Sequence, residues 1–295
     1  MRAAGPIAYG LTAVLFWSTV ASAFKLTLRL VEPGELLLWS SAASTLVLGL
    51  VVTIRGGAGA VWHASRRDWG RSAALGLLNP FLYYLVLFQA YDRLPGQEAQ
   101  PLNYTWGIVL PLLSVPLLKQ RIRPAVFLAI LVSFAGVVVI ATRGDLASFR
   151  LTDPLGVSLA VGSSLFWSLY WIFNLRDPRE ESVKLFGNFV FGTLYVLVFL
   201  GATGSLRPPS LAGLLGCLYI GLFEMGLTFV VWLKALSLAR STAQVANLIF
   251  LAPFLSLVLL HHVAGERISP SSGIGLTLII GGILLQRRVE RKRPR

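Results

Sequence analysis

With 295 residues, 55% of them apolar and only 13% charged, the chain has too little polar surface to cover a water-soluble body. Its formal net charge of +13 would suit a nucleic-acid partner, but no stretch interleaves Arg or Lys with aromatics on a polar module. The basic residues lie between apolar runs, where they serve topology and anionic headgroups, so no nucleic acid is expected. A single cysteine, Cys217, excludes an internal disulfide framework and any multi-cysteine metal site, and no cofactor is implied.

The apolar runs have the roughly 20-residue length that crosses a hydrocarbon core about 30 Å thick. In chain order the predicted spans are 7–28, 35–54, 72–91, 99–118, 124–142, 155–175, 183–203, 210–234, 241–262 and 270–286. Arg2 is the one charged side chain before the first, and nine more runs follow it, so it reads as a retained helix rather than a cleaved signal. Breakers separate the runs: Glu32-Pro33-Gly34, Arg55-Gly56-Gly57, Leu94-Pro95-Gly96, Arg207-Pro208-Pro209 and Ser269-Pro270. The loop from Arg55 to Arg71 is basic and carries Trp62 and Trp69, residues suited to the headgroup layer. Glycines 136, 273, 275, 281 and 282 in spans five and ten predict close helix packing.

Counting Lys and Arg on alternate sides gives nineteen with the N-terminus and six opposite, with Lys25 inside the first span. That excess places both termini in the cytoplasm and supports an even number of spans. The halves also echo each other. Leu15-Phe16-Trp17-Ser18 in span one recurs as Leu165-Phe166-Trp167-Ser168 in span six, and Pro111-Leu112-Leu113-Ser114 in span four as Pro253-Phe254-Leu255-Ser256 in span nine. Five spans per copy is odd, so the second copy is inverted, and transporters built this way carry their site near the midplane between repeats. The expected fold is an all-α membrane protein of ten transmembrane helices in two inverted five-helix repeats, residues 1–147 and 148–295, the second ending in a basic cytoplasmic tail.

Phe16-Trp17-Ser18 with Lys25, the stretch from Ala246 to Pro253, Gly265-Glu266-Arg267, Gly273 and Gly281-Gly282 follow one another in an order that resembles the drug/metabolite transporter superfamily. Within it the chain is similar to the EamA-type permeases, along essentially its whole length. The first half departs at Lys119-Gln120-Arg121, where a Gly-Glu-Arg-like turn is common. The wealth of Trp and Tyr near mid-span resembles the aromatic amino-acid exporters of that group. The resemblance implies proton-linked or passive export of amino acids across a bacterial inner membrane.

Inside hydrocarbon a charge or amide needs a cavity or a partner. Lys25 and Glu224 are the full charges well within spans. Lys25 shares an arc with Ser18 and Ser22, with Trp17 at its edge, and reads either as a site residue or as snorkelling to the outer interface. Glu224 reads as a binder of a substrate ammonium, a proton carrier, or a hydrogen-bonded structural carboxyl; the two charges could also pair. Span six aligns Ser163, Ser164, Trp167, Trp171 and Asn174, with Tyr170 beside them. Span three offers Asn79 and Tyr83, span four Asn103 and Tyr104, and span nine Gln244 and Asn247. Rings with polar tips beside amides suit a ligand with an apolar body and a few polar groups. The alternative for these amides and hydroxyls is helix–helix glue, and for the tryptophans a lipid-belt anchor.

A transporter of small metabolites, amino acids including aromatic ones among them, is the reading favoured, working by alternating access as an exporter. Import, or other metabolites or drugs as cargo, are alternatives within the superfamily. A membrane-embedded enzyme is the rival class, but the chain has no HExxH, no carboxylate pair within a span and no phosphate-cradling motif. The expected partners are the substrate and the bilayer, and a monomer is compatible with all of this.

Overall fold

Prolines open many of the helices, because a fixed φ suits the first turn and the missing N–H would have no partner there. The computed structural model describes residues 5–119, 124–146, 151, 153–174, 176–238 and 248–291, and among these every regular element is helical. The first half holds α1 (Pro6–Thr27), α2 (Pro33–Ile54), the short α3 (Ala58–Trp62), α4 (Arg66–Gly76), α5 (Tyr83–Arg93), α6 (Gly96–Asn103), α7 (Trp106–Leu118) and α8 (Pro124–Ala141). The second holds α9 (Pro154–Asn174), α10 (Glu181–Ala202), α11 (Leu211–Phe223), α12 (Leu227–Leu238), α13 (Ala252–His262) and α14 (Pro270–Arg291).

Six stretches are long and apolar enough to cross a membrane: Pro6–Thr27, Pro33–Ile54, Arg66–Arg93, Pro154–Asn174, Glu181–Ala202 and Leu211–Trp232. Shorter apolar helices cover Leu128–Ala141, Ala252–His262 and Pro270–Leu285. Large apolar side chains face outward, with Leu46, Ile54 and Leu211 about three-quarters exposed (76%, 75% and 75%), as expected of a surface that lipid covers.

Three predicted spans are interrupted, each for a local reason. The third starts earlier than expected, at Arg66, because Ser65 caps it: its hydroxyl accepts from the Asp68 N–H while the Asp68 carboxylate accepts from the Ser65 N–H. That helix then passes through a wide turn at Leu77–Leu82, where Asn79 is extended (φ −149°, ψ 122°) because it precedes Pro80. The fourth span breaks at Tyr104-Thr105, where the Thr105 hydroxyl takes the Leu102 carbonyl at 2.7 Å. The eighth breaks at Glu224-Met225-Gly226, where the Thr228 hydroxyl takes the Phe223 carbonyl. In both, a threonine hydroxyl takes a carbonyl a few residues behind it, as Thr19 also does on the Phe16 carbonyl within the unbroken α1.

Helix α1 packs on α11, α12 and α13, while α9 packs on α5, α6 and α7. Helix α2 lies against α10 and α11, and α8 runs along α14. The last pair depends on glycine: a Cβ at Gly136 would stand 2.5 Å from the Gly275 carbonyl, and one at Gly282 2.6 Å from the Ala129 carbonyl. Gly273 and Gly281, also expected in packing, face open space instead.

Polar contacts gather at two ends. One collects Arg29 on the Ala264 carbonyl (2.8 Å), Arg93 with Asp153 (3.8 Å) and Arg143 with Glu98 (2.7 Å). The other collects Arg55 with Glu180 (3.7 Å), Arg176 on the Leu117 carbonyl (2.8 Å) and Asp177 with Arg179 (2.5 Å).

Candidate functional site

The three breaks border the two central helices, α1 and α9, and the tryptophans that occupy equivalent places in the repeated Leu-Phe-Trp-Ser segment meet around them. Trp17 on α1 packs against Trp232 (5.3 Å between ring centroids) and Phe229 (6.1 Å) of α12. Trp167 on α9 packs against Tyr83 (4.7 Å), Trp171 (5.7 Å) and the same Phe229 (6.1 Å). Phe229 thus bridges the two repeated tryptophans. Trp17, Trp167 and Trp171 are half-buried, so part of each ring stays open beside its aromatic neighbours.

Glu224 sits at the break between α11 and α12, 8% exposed. The Tyr84 hydroxyl donates to its Oε1 at 3.1 Å, while its buried Oε2 makes no well-formed hydrogen bond. Trp17 lies at the same carboxyl, and Tyr83 and Tyr104 face it from α5 and from the α6–α7 break. From Tyr83 a polar chain continues: its hydroxyl donates to Asn103 Oδ1 (3.4 Å), and Asn103 Nδ2 donates to Ser163 Oγ (2.8 Å) on α9. Trp17, Tyr83, Asn103, Tyr104, Trp167, Trp171 and Glu224 therefore form one neighbourhood of rings in edge-on and tilted contact, one amide and one carboxyl. Such a surface offers aromatic rings beside one carboxyl.

Other predicted residues stand elsewhere. Lys25 donates to the Tyr91 (2.7 Å) and Leu94 (3.1 Å) carbonyls, closing the C-terminal end of α5, where a cation also meets the negative pole of the helix. It neither snorkels freely nor pairs with Glu224. Ser18 bonds the Val14 carbonyl (2.6 Å), and its own carbonyl accepts from Ser256 (2.6 Å), which in turn accepts from Gln100 Nε2 (2.9 Å). That network ties α1, α6 and α13 together and is helix glue. Asn79 is fully buried, faces Tyr170, and makes no well-formed hydrogen bond; Tyr170 also receives Asn188 Nδ2 at 3.4 Å. Asn174 lies at the end of α9, where its carbonyl accepts from Lys184 (3.2 Å). Gln244 and Asn247 lie outside the described residues.

Sequence reading missed Tyr84 and Phe229. Both were visible only as residues of an apolar run, since the breaks decide which faces turn inward. It also left Gly265-Glu266-Arg267 without a role. The Glu266 carboxylate accepts from the Gly96 N–H (2.7 Å) and the Gln97 N–H (3.1 Å), capping α6. Gln97 donates to the Arg267 carbonyl (2.8 Å) and accepts from the Ser269 N–H (2.6 Å) and the Ser272 hydroxyl (3.1 Å). Two clefts lie away from the aromatic neighbourhood. One of about 730 Å³ is lined by Glu32, Glu35, Gln89, Phe199 and Arg207, and one of about 350 Å³ by Thr19, Ser22, Gly216 and Tyr219.

The sequence matches the model of the EamA-like transporter family twice, over residues 5–142 and 154–287. An aromatic amino acid exporter, YddG, of Ancylobacter novellus is 27% identical over 289 residues, covering 96% of this chain and 97% of the exporter. An uncharacterized transporter of Archaeoglobus fulgidus is 26% identical and covers 92% of this chain and 93% of its own. A probable terminal-alkyne amino-acid exporter of Streptantibioticus cattleyicolor is 26% identical over 279 residues, 93% of this chain and 92% of that one. A solved crystal structure superposes with a TM-score of 0.66 at 25% identity, over 97% of this chain and 98% of the other.

Proposed function

Because the chain belongs to the EamA-like transporter family, and is a multi-pass membrane transporter rather than an enzyme, we propose that it exports small metabolites, amino acids including aromatic ones among them. The observation that carries this is the convergence of Trp17, Trp167, Tyr83 and Phe229, with the Glu224 carboxyl, at breaks in membrane-length helices. Broken helices at mid-membrane are tolerated where they line a substrate path, because only there do freed backbone groups find partners. Two relatives, an aromatic amino acid exporter and a probable terminal-alkyne amino-acid exporter, agree with rings and a carboxyl as recognition elements.

The transport cycle is read as alternating access between two inverted five-helix halves, residues 1–147 and 148–295, making ten spans. The exchange of pairings supports it: α1 packs on α11, α12 and α13 as α9 packs on α5, α6 and α7. So do the breaks, which interrupt the third span of the first half and the third span of the second, and the two successive family matches. The orientation, with both termini in the cytoplasm of a bacterial inner membrane, rests on the nineteen-to-six bias of basic residues. It is also supported by the segregation of the loops: Arg29, Arg93, Arg143 and their partners share one end, and Arg55, Arg176 and Arg179 the other.

Counterflow tests the reading. Purified protein in liposomes preloaded with phenylalanine, tryptophan, an aliphatic amino acid or an unrelated metabolite is offered labelled substrate. Exchange confined to amino acids and strongest for aromatic ones is expected, and lowered in Trp167→Ala, Tyr83→Ala and Glu224→Gln. Unchanged counterflow in all three variants rejects the site.

A further inference from the structure

We propose that the cleft between α2, α5 and α10 is a second binding site, which holds the transported amino acid as a zwitterion at the end of the molecule that carries Arg29, Arg93 and Arg143. This rests on the transport reading above and extends it, since that reading needs only the aromatic neighbourhood.

Three features of the cleft carry the inference. Its volume of about 730 Å³ suits a small metabolite, and its walls set the apolar Leu85, Phe199 and Leu200 beside groups of both charges. The charges are the second feature. Glu35 is 8% exposed, and its Oε2 accepts the Glu32 N–H at 3.2 Å in the capping box that starts α2. That bond leaves Oε1 for an ammonium, and the Glu32 carboxylate lines the same cleft. Arg207, in the loop before α11, is exposed and forms no ion pair among the described residues. The third is Gln89 of α5, half-buried in the cleft and without a hydrogen bond among the described residues. Its amide can serve either end of a ligand.

Helix capping accounts for the two carboxylates alone. It leaves unexplained why an arginine and an unbonded amide line the same hollow. Acid and base that share a cleft without neutralising each other are complementary to a ligand carrying both charges, as a free amino acid does. Phe199, Leu85 and Leu200 then give its side chain an apolar wall. The aromatic neighbourhood offers less to such a ligand: it supplies a carboxyl, whereas Lys25, the cation expected with it, is bound to the end of α5. One helix borders both places, since α5 gives Tyr83 and Tyr84 to the rings and Leu85 and Gln89 to the cleft. Cargo leaving the rings on that side of α5 is therefore held by its two charges before it departs. Charges that face water contribute little each, so the site binds weakly, as a place of release must.

The test titrates para-fluorophenylalanine into protein in nanodiscs and follows the fluorine NMR linewidth, which reports weak binding. Trp167→Ala, its ring site disabled, should still bind the probe saturably, and adding Arg207→Gln should weaken that binding by about fivefold. Tyr83→Ala takes the place of Trp167→Ala should the latter not fold. Phenylalanine should displace the probe from Trp167→Ala, while phenethylamine and phenylpropionate, each lacking one charge, should do so about fivefold less well. If the double variant does not fold, this displacement series decides alone. Equal displacement by all three compounds overturns the proposal. Probe binding that is lost only in nanodiscs containing phosphatidylethanolamine assigns the cleft to a lipid headgroup and overturns it too. Wild-type counterflow without saturable binding to Trp167→Ala removes the second site and leaves the transport reading standing. Absence of counterflow for every member of the panel removes both.

Discussion

Two carboxylates embedded between helices, Glu266 and Glu224, have opposite surroundings. Glu266, in the turn before α14, is partly buried and has each oxygen on a backbone N–H at the start of α6, with Gln97 tied into the same turn by three more bonds. Glu224, at the break in the eighth span, is more deeply buried, yet the Tyr84 hydroxyl makes the one well-formed hydrogen bond to it among the described residues, with Trp17 beside it. A saturated carboxylate holds parts of one molecule together; an unsaturated one in low dielectric is poised for something that comes and goes. Glu266 belongs to the short Gly265-Glu266-Arg267 segment, which the resemblance singled out, and its surroundings give that segment a structural purpose. Glu224 lies outside every quoted motif.

The contrast can be broken most sharply by exchanging what each variant damages. Glu224→Gln should lower counterflow of aromatic amino acids by about 100-fold, or about 2.7 kcal/mol of transition-state stabilisation, with thermal stability near that of the wild type. Glu266→Ala should do the reverse. Loss of a charged acceptor for two backbone N–H groups costs about 2 kcal/mol, read as a drop of several degrees in melting temperature, while counterflow per folded molecule stays within about twofold. If Glu266→Ala stops transport in protein that remains folded, the division between the two carboxylates fails. Tyr84→Phe sharpens the other side: with its donor to Oε1 removed, counterflow should fall by about tenfold, the worth of one hydrogen bond to a charged group.

The smallest expected effect concerns the opposite end of the molecule. Although burial opposes it, the Arg179 guanidinium and N–H hold the Asp177 carboxyl below the usual carboxylate range. A carboxylate stabilised in the folded state contributes most above its unfolded pKa, and that contribution is lost as the pH falls through its lowered folded value. Asp177→Asn should therefore lower the melting temperature by a degree or two at neutral pH and flatten its decline on the acid side. A melting curve against pH for both proteins checks this.

Much of the architecture was legible from residue order. Apolar runs gave the helices, since in hydrocarbon each backbone group must be satisfied within its own segment, and proline placement gave many of their starts. The breaks were not legible in spans three, four and eight. Asn79-Pro80 hinted at the first, but Thr105 and Thr228 look like ordinary span residues until their hydroxyls are seen to take backbone carbonyls. Of the candidate site, Trp17 and Trp167 stood out through the repeated Leu-Phe-Trp-Ser, and Glu224 through the cost of a charge in a span. Lys25 was found by the same argument and turns out to cap α5, because burial cost identifies a residue that must have a partner without saying which one.

By itself, then, the sequence determined that this chain lives in a membrane and is helical throughout the residues described, because hydrophobic length and backbone satisfaction are local properties. Which side chains meet was decided by tertiary structure alone. That Phe229 lies between two tryptophans from different halves, and that Tyr84 rather than Lys25 answers Glu224, depends on where helices are interrupted and how they cross. Those are consequences of packing between segments far apart in the chain, and no periodicity within one segment records them.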